Sequence, residues 1–159
     1  MFKRMIIALI FGFLLSFNAW ASMVSFFLIE TGMPENRPES QHSIQWENAF
    51  MDVFFDAGHI VSNAPVLRLE TKPQSDILQV IAFNFADARS FGIDYILITM
   101  LDFTGDLPAP GEVTFVVFKV SSQEKVFERT IEGKTYRSSR EEYDDLKAIA
   151  RGLVPFISQ

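Results

Sequence analysis

The sequence predicts an α/β domain: a mixed four- to five-stranded sheet with three helices, in the order strand, helix, strand, helix, strand, strand, strand, helix. Three observations predict it. Short runs of apolar, β-branched and aromatic residues recur at 24–29, 95–101 and 113–120. Between such runs, apolar residues return at steps of three and four, the spacing of one helix face. The last two strands are joined only by the turn at 121–124, which reads as a hairpin.

The chain starts with Lys3-Arg4, an apolar run from Met5 to Phe17, and the small-residue site Ala19-Trp20-Ala21. This is the layout of a secretory signal peptide cut after Ala21, which leaves 22–159 as one periplasmic domain. The run is shorter than the roughly 20 residues a membrane anchor needs, and no Cys stands at the cut for lipid attachment. Val-Ser-Phe-Phe-Leu-Ile at 24–29 is the first strand, closed by Glu30-Thr31-Gly32. A polar stretch with Pro34 and Pro38 is a loop. Ser43 can cap the first helix, whose face carries Trp46, Ala49, Phe50, Val53, Phe54 and Ala57, with Gly58 as the stop. His59 follows that stop, where a cation complements the helix dipole. Residues 60–62 and 66–70 read either as one strand resumed after Pro65 or as two.

Ser75 can cap a second helix, with Ile77, Val80, Ile81, Phe85 and Ala88 on one face and Gly92 as its stop. Tyr95 to Leu101 is apolar without alternation, as a central strand covered on both faces should be. Residues 113–120 repeat that character. Residues 126–132 alternate, with Phe127, Arg129 and Ile131 on one side, as suits an outer strand. Ser139-Arg140-Glu141-Glu142 reads as a capping box before a helix bearing Tyr143, Leu146, Ile149, Ala150 and Leu153.

Composition narrows the function. The 159 residues include no Cys, which excludes disulfides, thiolate metal sites and a cysteine nucleophile. Removing Lys3 and Arg4 takes the net charge from −6 to −8, a poor match to nucleic acid or to an anionic membrane surface. No G-x-S-x-G elbow, phosphate loop, dinucleotide fingerprint or zinc spacing is present. No catalytic residue, metal or cofactor is therefore assigned, and the chain reads as a non-enzyme.

Two features remain as candidates. Parallel strands would send the loops 31–42, 71–75 and 103–111 from one edge of the sheet, where ligands bind in open α/β folds. The carboxylates Glu30, Glu70 and Asp102 end those strands, with His42 and Asp106 nearby. Such a group suits a hard cation and, through bound water, phosphoester hydrolysis; alternatively, acidic residues simply solvate strand ends. The second feature is the aromatic load. Phe54 and Phe55 are adjacent on a helix and cannot both point straight at one core; surplus apolar surface of this kind is often a partner or dimer interface, the alternative being that an ordinary core and a helix on the second face absorb it all.

Gly92-Ile93-Asp94-Tyr95-Ile96-Leu97-Ile98, placed after an amphipathic helix, resembles a pattern in bacterial envelope proteins similar to the amino-terminal domain of TolB and to the LpoB and CsgG envelope domains. The order of elements across 24–157 is also similar. The first strand lacks the V-A-V-L-P-F-like text of those proteins, and no functional residue carries over. The resemblance implies a noncatalytic periplasmic module that binds other envelope proteins. The leading expectation is thus an exported interaction or scaffold module, with a protein partner in the envelope or self-association and no membrane span after cleavage. A metal-assisted hydrolase at the carboxylate edge and a small-ligand carrier are the alternatives.

Overall fold

The structure, a computed structural model, describes residues 21–32, 40–70, 85–104 and 109–157. The apolar runs form β1 (Met23–Thr31), β2 (Ile60–Asn63), β3 (Leu67–Leu69), β4 (Tyr95–Asp102), β5 (Glu112–Lys119) and β6 (Glu124–Glu132). The helices are α1 (Gln41–Asp56), the helical residues 85–90 as α2, and α3 (Ser139–Leu153), which runs into a 3-10 turn at Val154–Phe156. The order across the sheet is β2-β1-β4-β5-β6, with β3 also beside β1. β1 pairs in parallel with β2, β3 and β4, whereas β4–β5 and β5–β6 are antiparallel. The expected mixed sheet is therefore present, but with six strands instead of four or five. The extra strand comes from the break at Pro65. The chain leaves the ladder there, Ala64 N–H donates to Phe26 O at 3.0 Å, and β3 resumes pairing with the far end of β1.

Tertiary contacts also move two helix starts. Ser40, not Ser43, caps α1, its hydroxyl accepting from His42 N–H at 3.2 Å. Ser43 lies buried in the first turn and donates to the Glu30 carboxylate, so a strand residue fixes where the helix begins. In α3 the cap is Ser138, which accepts from Glu141 N–H at 3.2 Å, and Glu141 reaches back to Arg137 N–H at 3.1 Å. The box thus sits one residue earlier than the sequence suggests.

Both expected glycine stops are used. Gly58 and Gly92 have φ of 89° and 74°. His59 N–H donates to Phe54 O at 3.0 Å and Ile93 N–H to Ala88 O at 2.9 Å, the longer bond of a Schellman ending. His59 owes its place to packing rather than to charge. It is buried, its ring lies 5.9 Å from that of Phe54, and desolvation lowers its pKa from the usual 6.5. A depressed folded pKa means that the unfolded chain takes up the proton first, so His59 contributes stability that is whole above pH 6.5 and is lost as pH falls below it. Thermal melts between about pH 7.5 and 5 should show the parent losing stability faster than His59→Leu, a difference that a cationic native imidazole would reverse.

The pleat sorts side chains into two layers. Val24, Phe26 and Leu28 of β1, Leu97 and Leu101 of β4, and Phe115 and Val117 of β5 pack under α1 and α3. Ile29, Ile96, Ile98, Met100, Val116 and Phe118 form the other layer with Phe85 and Ala88 of α2. Rings of Phe26, Trp46, Phe50, Phe54 and Phe115 make a connected cluster with centroids 5.3–6.4 Å apart. Tyr143 of α3 donates to Asp52 of α1, and that bond pushes the phenol pKa up to about 12.

The motif at 92–98 has a structural role. Gly92 ends α2, the Asp94 carboxylate accepts Met23 N–H at 2.9 Å, and Asp94 N–H donates to Met23 O at 2.8 Å, so β1 and β4 are pinned where their pairing begins. At the opposite edge, Gly133 lies against the 110–111 segment, with its N–H on Gly111 O at 2.8 Å. A Cβ there would come within 1.6 Å of Pro110 O. Gly133→Ala is expected to destabilise by roughly 1–3 kcal/mol, the usual penalty for forced overpacking; an unchanged urea midpoint would show that the two segments are not held together.

Candidate functional site

Register brings the ends of the parallel strands level: Thr31 stands beside both Leu69 and Asp102. The carboxylates nevertheless do not converge. Glu30 lies one residue before Thr31 and faces the α1 layer, while Asp102 pairs with Thr31 and faces the other layer. Glu30 is 1% exposed and fully occupied. Its Oε1 accepts from Ser40 N–H at 3.2 Å and from the Ser43 hydroxyl, and its Oε2 accepts from Arg68 Nε at 3.0 Å. Asp102 Oδ1 accepts from Thr104 N–H at 2.9 Å and from the Thr104 hydroxyl, tying down the start of the loop after β4.

His42 lies in the first turn of α1, its Nδ1 2.5 Å from Glu142 Oε1 of α3. Glu70 is exposed just beyond β3, and Asp106 lies outside the described residues. Phe54 is buried in the aromatic cluster, whereas its neighbour Phe55 is 69% exposed, as adjacent helix positions require. Among the described residues no group of three His, Asp or Glu side chains is placed to hold a metal ion.

The most developed concavity lies elsewhere. A groove of about 700 Å³ runs between β5–β6 and α3, from Pro110 and Gly133 at the loop edge to Phe156 beyond the helix. Trp46, Phe115, Phe127, Ile131, Ile149 and Phe156 supply apolar walls. One end is polar. Asp145 Oδ2 accepts from Lys134 Nζ at 2.9 Å and from the Tyr136 hydroxyl at 2.8 Å. The lysine holds the Asp145 carboxyl below its usual range, while burial, reinforced by Asp145, pushes the Tyr136 phenol well up.

Sequence reasoning placed Phe127, Arg129 and Ile131 on one side of the outer strand but not the gap facing them. That gap exists because the facing flank of α3 carries Ala148 and Gly152, which fill little space. Two small residues four apart, opposite a half-apolar strand, are the signal that could have found it.

No family model matches this chain, and no curated protein does. Among solved structures, the PelC dodecamer of Paraburkholderia phytofirmans, in a leucine-to-methionine variant, is 19% identical over 87% of this chain and 90% of its own, with a TM-score of 0.51. TolB from Acinetobacter baumannii is 13% identical over 86% of this chain but only 28% of its own, at a TM-score of 0.48. The LpoB C-terminal domain from Salmonella enterica is 13% identical over 81% and 94%, at 0.43. At these identities the likeness is one of fold: the chain shares the architecture of the PelC subunit, and TolB and LpoB domains are among the solved structures it resembles.

Proposed function

We propose that this chain is an exported, noncatalytic interaction module of a bacterial envelope, acting by contact with a protein partner or with copies of itself. The observation that carries this reading is the difference between the two outer edges of the sheet. β6 is guarded by Lys125, Glu128, Arg129 and Glu132 and by an irregularity opposite Val117 and Phe118, devices that discourage pairing. The β2–β3 edge has Arg68 as its only charge, committed to Glu30, and it exposes Ile60 (56%) and Leu67. On the opposite face of the sheet from the Ile60 and Leu67 side chains, α1 turns Ile44 and Phe55 outward. Apolar side chains left uncovered on both sides of an unguarded edge fit protein contacts.

The fold shared with a protein that forms a dodecamer supports self-association as the first form to test. The signal-like residues 1–21 support export. Glu30 is engaged by Arg68, Ser40 and Ser43 and Asp102 by Thr104, and the exposed Glu70 joins neither, so the hydrolytic reading has no assembled site among the described residues.

Sedimentation of the purified protein across concentration, together with cross-linking in envelope extract, tests the proposal. Oligomers or a defined cross-linked complex that Ile60→Lys and Phe55→Asp abolish are the expected result. A strict monomer without a cross-linked partner overturns it. Mass spectrometry of the exported form should find an N-terminus at Ser22.

A further inference from the structure

We propose that the groove between β6 and α3 is a binding site for an elongated amphiphile with an anionic head, of the long-chain carboxylate class. Three properties of the groove lead there. Its volume, about 700 Å³, falls in the range of small-molecule sites. Its walls are aliphatic and aromatic along most of its length, so they offer an alkyl chain burial without hydrogen-bonding demands. Its charge is the third property. The pleat places Arg129 on the groove side of β6 between Phe127 and Ile131, and places Glu128 and Thr130 on the far side. Lys134 is taken by Asp145 and Glu142 by His42, and Glu132, the remaining carboxylate of the lining, stands next to Gly133 at the loop-edge end. Among the described residues Arg129 has no ion-pair partner, so it is the uncommitted cation of an apolar channel. A planar guanidinium in that setting suits a carboxylate through paired, charge-assisted hydrogen bonds.

A peptide strand is the poorer occupant. It would have to pair along β6, where charged side chains and the irregular register at Val117 and Phe118 oppose strand addition. The inference is independent of the β2–β3 surface and stands whether or not that surface associates.

Trp46 lines the groove and is the single tryptophan beyond residue 20. Its fluorescence, in a Trp20→Phe background, reports occupancy. Myristate below its micelle concentration should give a saturable change, and methyl myristate should bind more weakly. Arg129→Gln should weaken myristate by about tenfold, the loss of one charge-assisted contact, and leave the methyl ester unchanged. Gly152 has open space where a side chain would project, so Gly152→Leu should block both probes while the thermal melt still shows a folded protein.

Absence of any saturable response overturns the proposal. Equal myristate binding by parent and Arg129→Gln overturns the anionic head, and unchanged binding by Gly152→Leu overturns the location. Protection of β6 amides by raised protein concentration, without a response to the probes, would assign the groove to a protein contact instead.

Discussion

Glu30→Ala is expected to destabilise the protein by about 3–5 kcal/mol, the effect of breaking a buried charge pair from one side. The carboxylate is 1% exposed and has three donors. Its removal leaves the part-buried Arg68 guanidinium, the Ser40 N–H and the buried Ser43 hydroxyl without their acceptor. The consequence is not local, because those donors belong to β3 and to the first turn of α1, both of which Glu30 holds against the end of β1. Glu30→Gln keeps an acceptor for Ser40 and Ser43 but lacks the charge facing Arg68, so its urea midpoint should fall between those of parent and alanine variant. The same series separates a structural carboxylate from a cation ligand. The loss in Glu30→Ala should be equal with and without millimolar magnesium or calcium; a cation that stabilises the parent alone would make Glu30 a ligand.

Phe50→Ala is expected to cost a similar amount, about 3–5 kcal/mol. Phe50 is buried at the centre of the ring cluster, 5.5 Å from Trp46, 5.8 Å from Phe115, 6.0 Å from Phe26 and 6.4 Å from Phe54. The cavity would open where α1 meets both β1 and β5, so relaxation of one element cannot refill it. Phe55→Ala, five positions further along the same helix and exposed, should change folding stability by no more than about 0.5 kcal/mol. Comparable losses in the two variants would mean that the helix is rotated from the orientation described above. Because Phe55 lies on the surface assigned to partner contact, its substitution should weaken association while leaving the melt of the dilute protein in place.

Much of this architecture was legible in the sequence. Unbroken apolar runs identified β4 and β5 as central, alternation identified β6 as the outer strand, and the glycines marked both helix stops. These are local signals, and each residue carries its own. What was not legible depends on pairs. Ser40 and Ser43 are equally good caps as isolated residues; a carboxylate on another strand decides between them.

Asp102 ends β4, whereas Glu30 stands one residue before the end of β1 and Glu70 lies just beyond β3. Whether Glu30 and Asp102 meet depends on register, and an offset of one residue sends them to opposite faces. The break at Pro65 could open either one strand or two, and only the length of β1 available for pairing answers that. The groove is a distance between a strand and a helix 20 or so residues apart in the chain, set by how little Ala148 and Gly152 occupy; side-chain patterning reports which way residues point and not how far away the next layer stands.

The clamp between Met23 and Asp94 joins residues 71 apart. During synthesis the hydrophobic β1 leaves the ribosome first, yet its long central partner emerges only after α1, β2 and β3 have appeared. Until then the strand is a sticky, half-satisfied ribbon. Folding is accordingly dominated by late, distant pairing and should be slow for a chain of this size. Such a delay leaves the apolar faces of β1 open to other chains until β4 arrives.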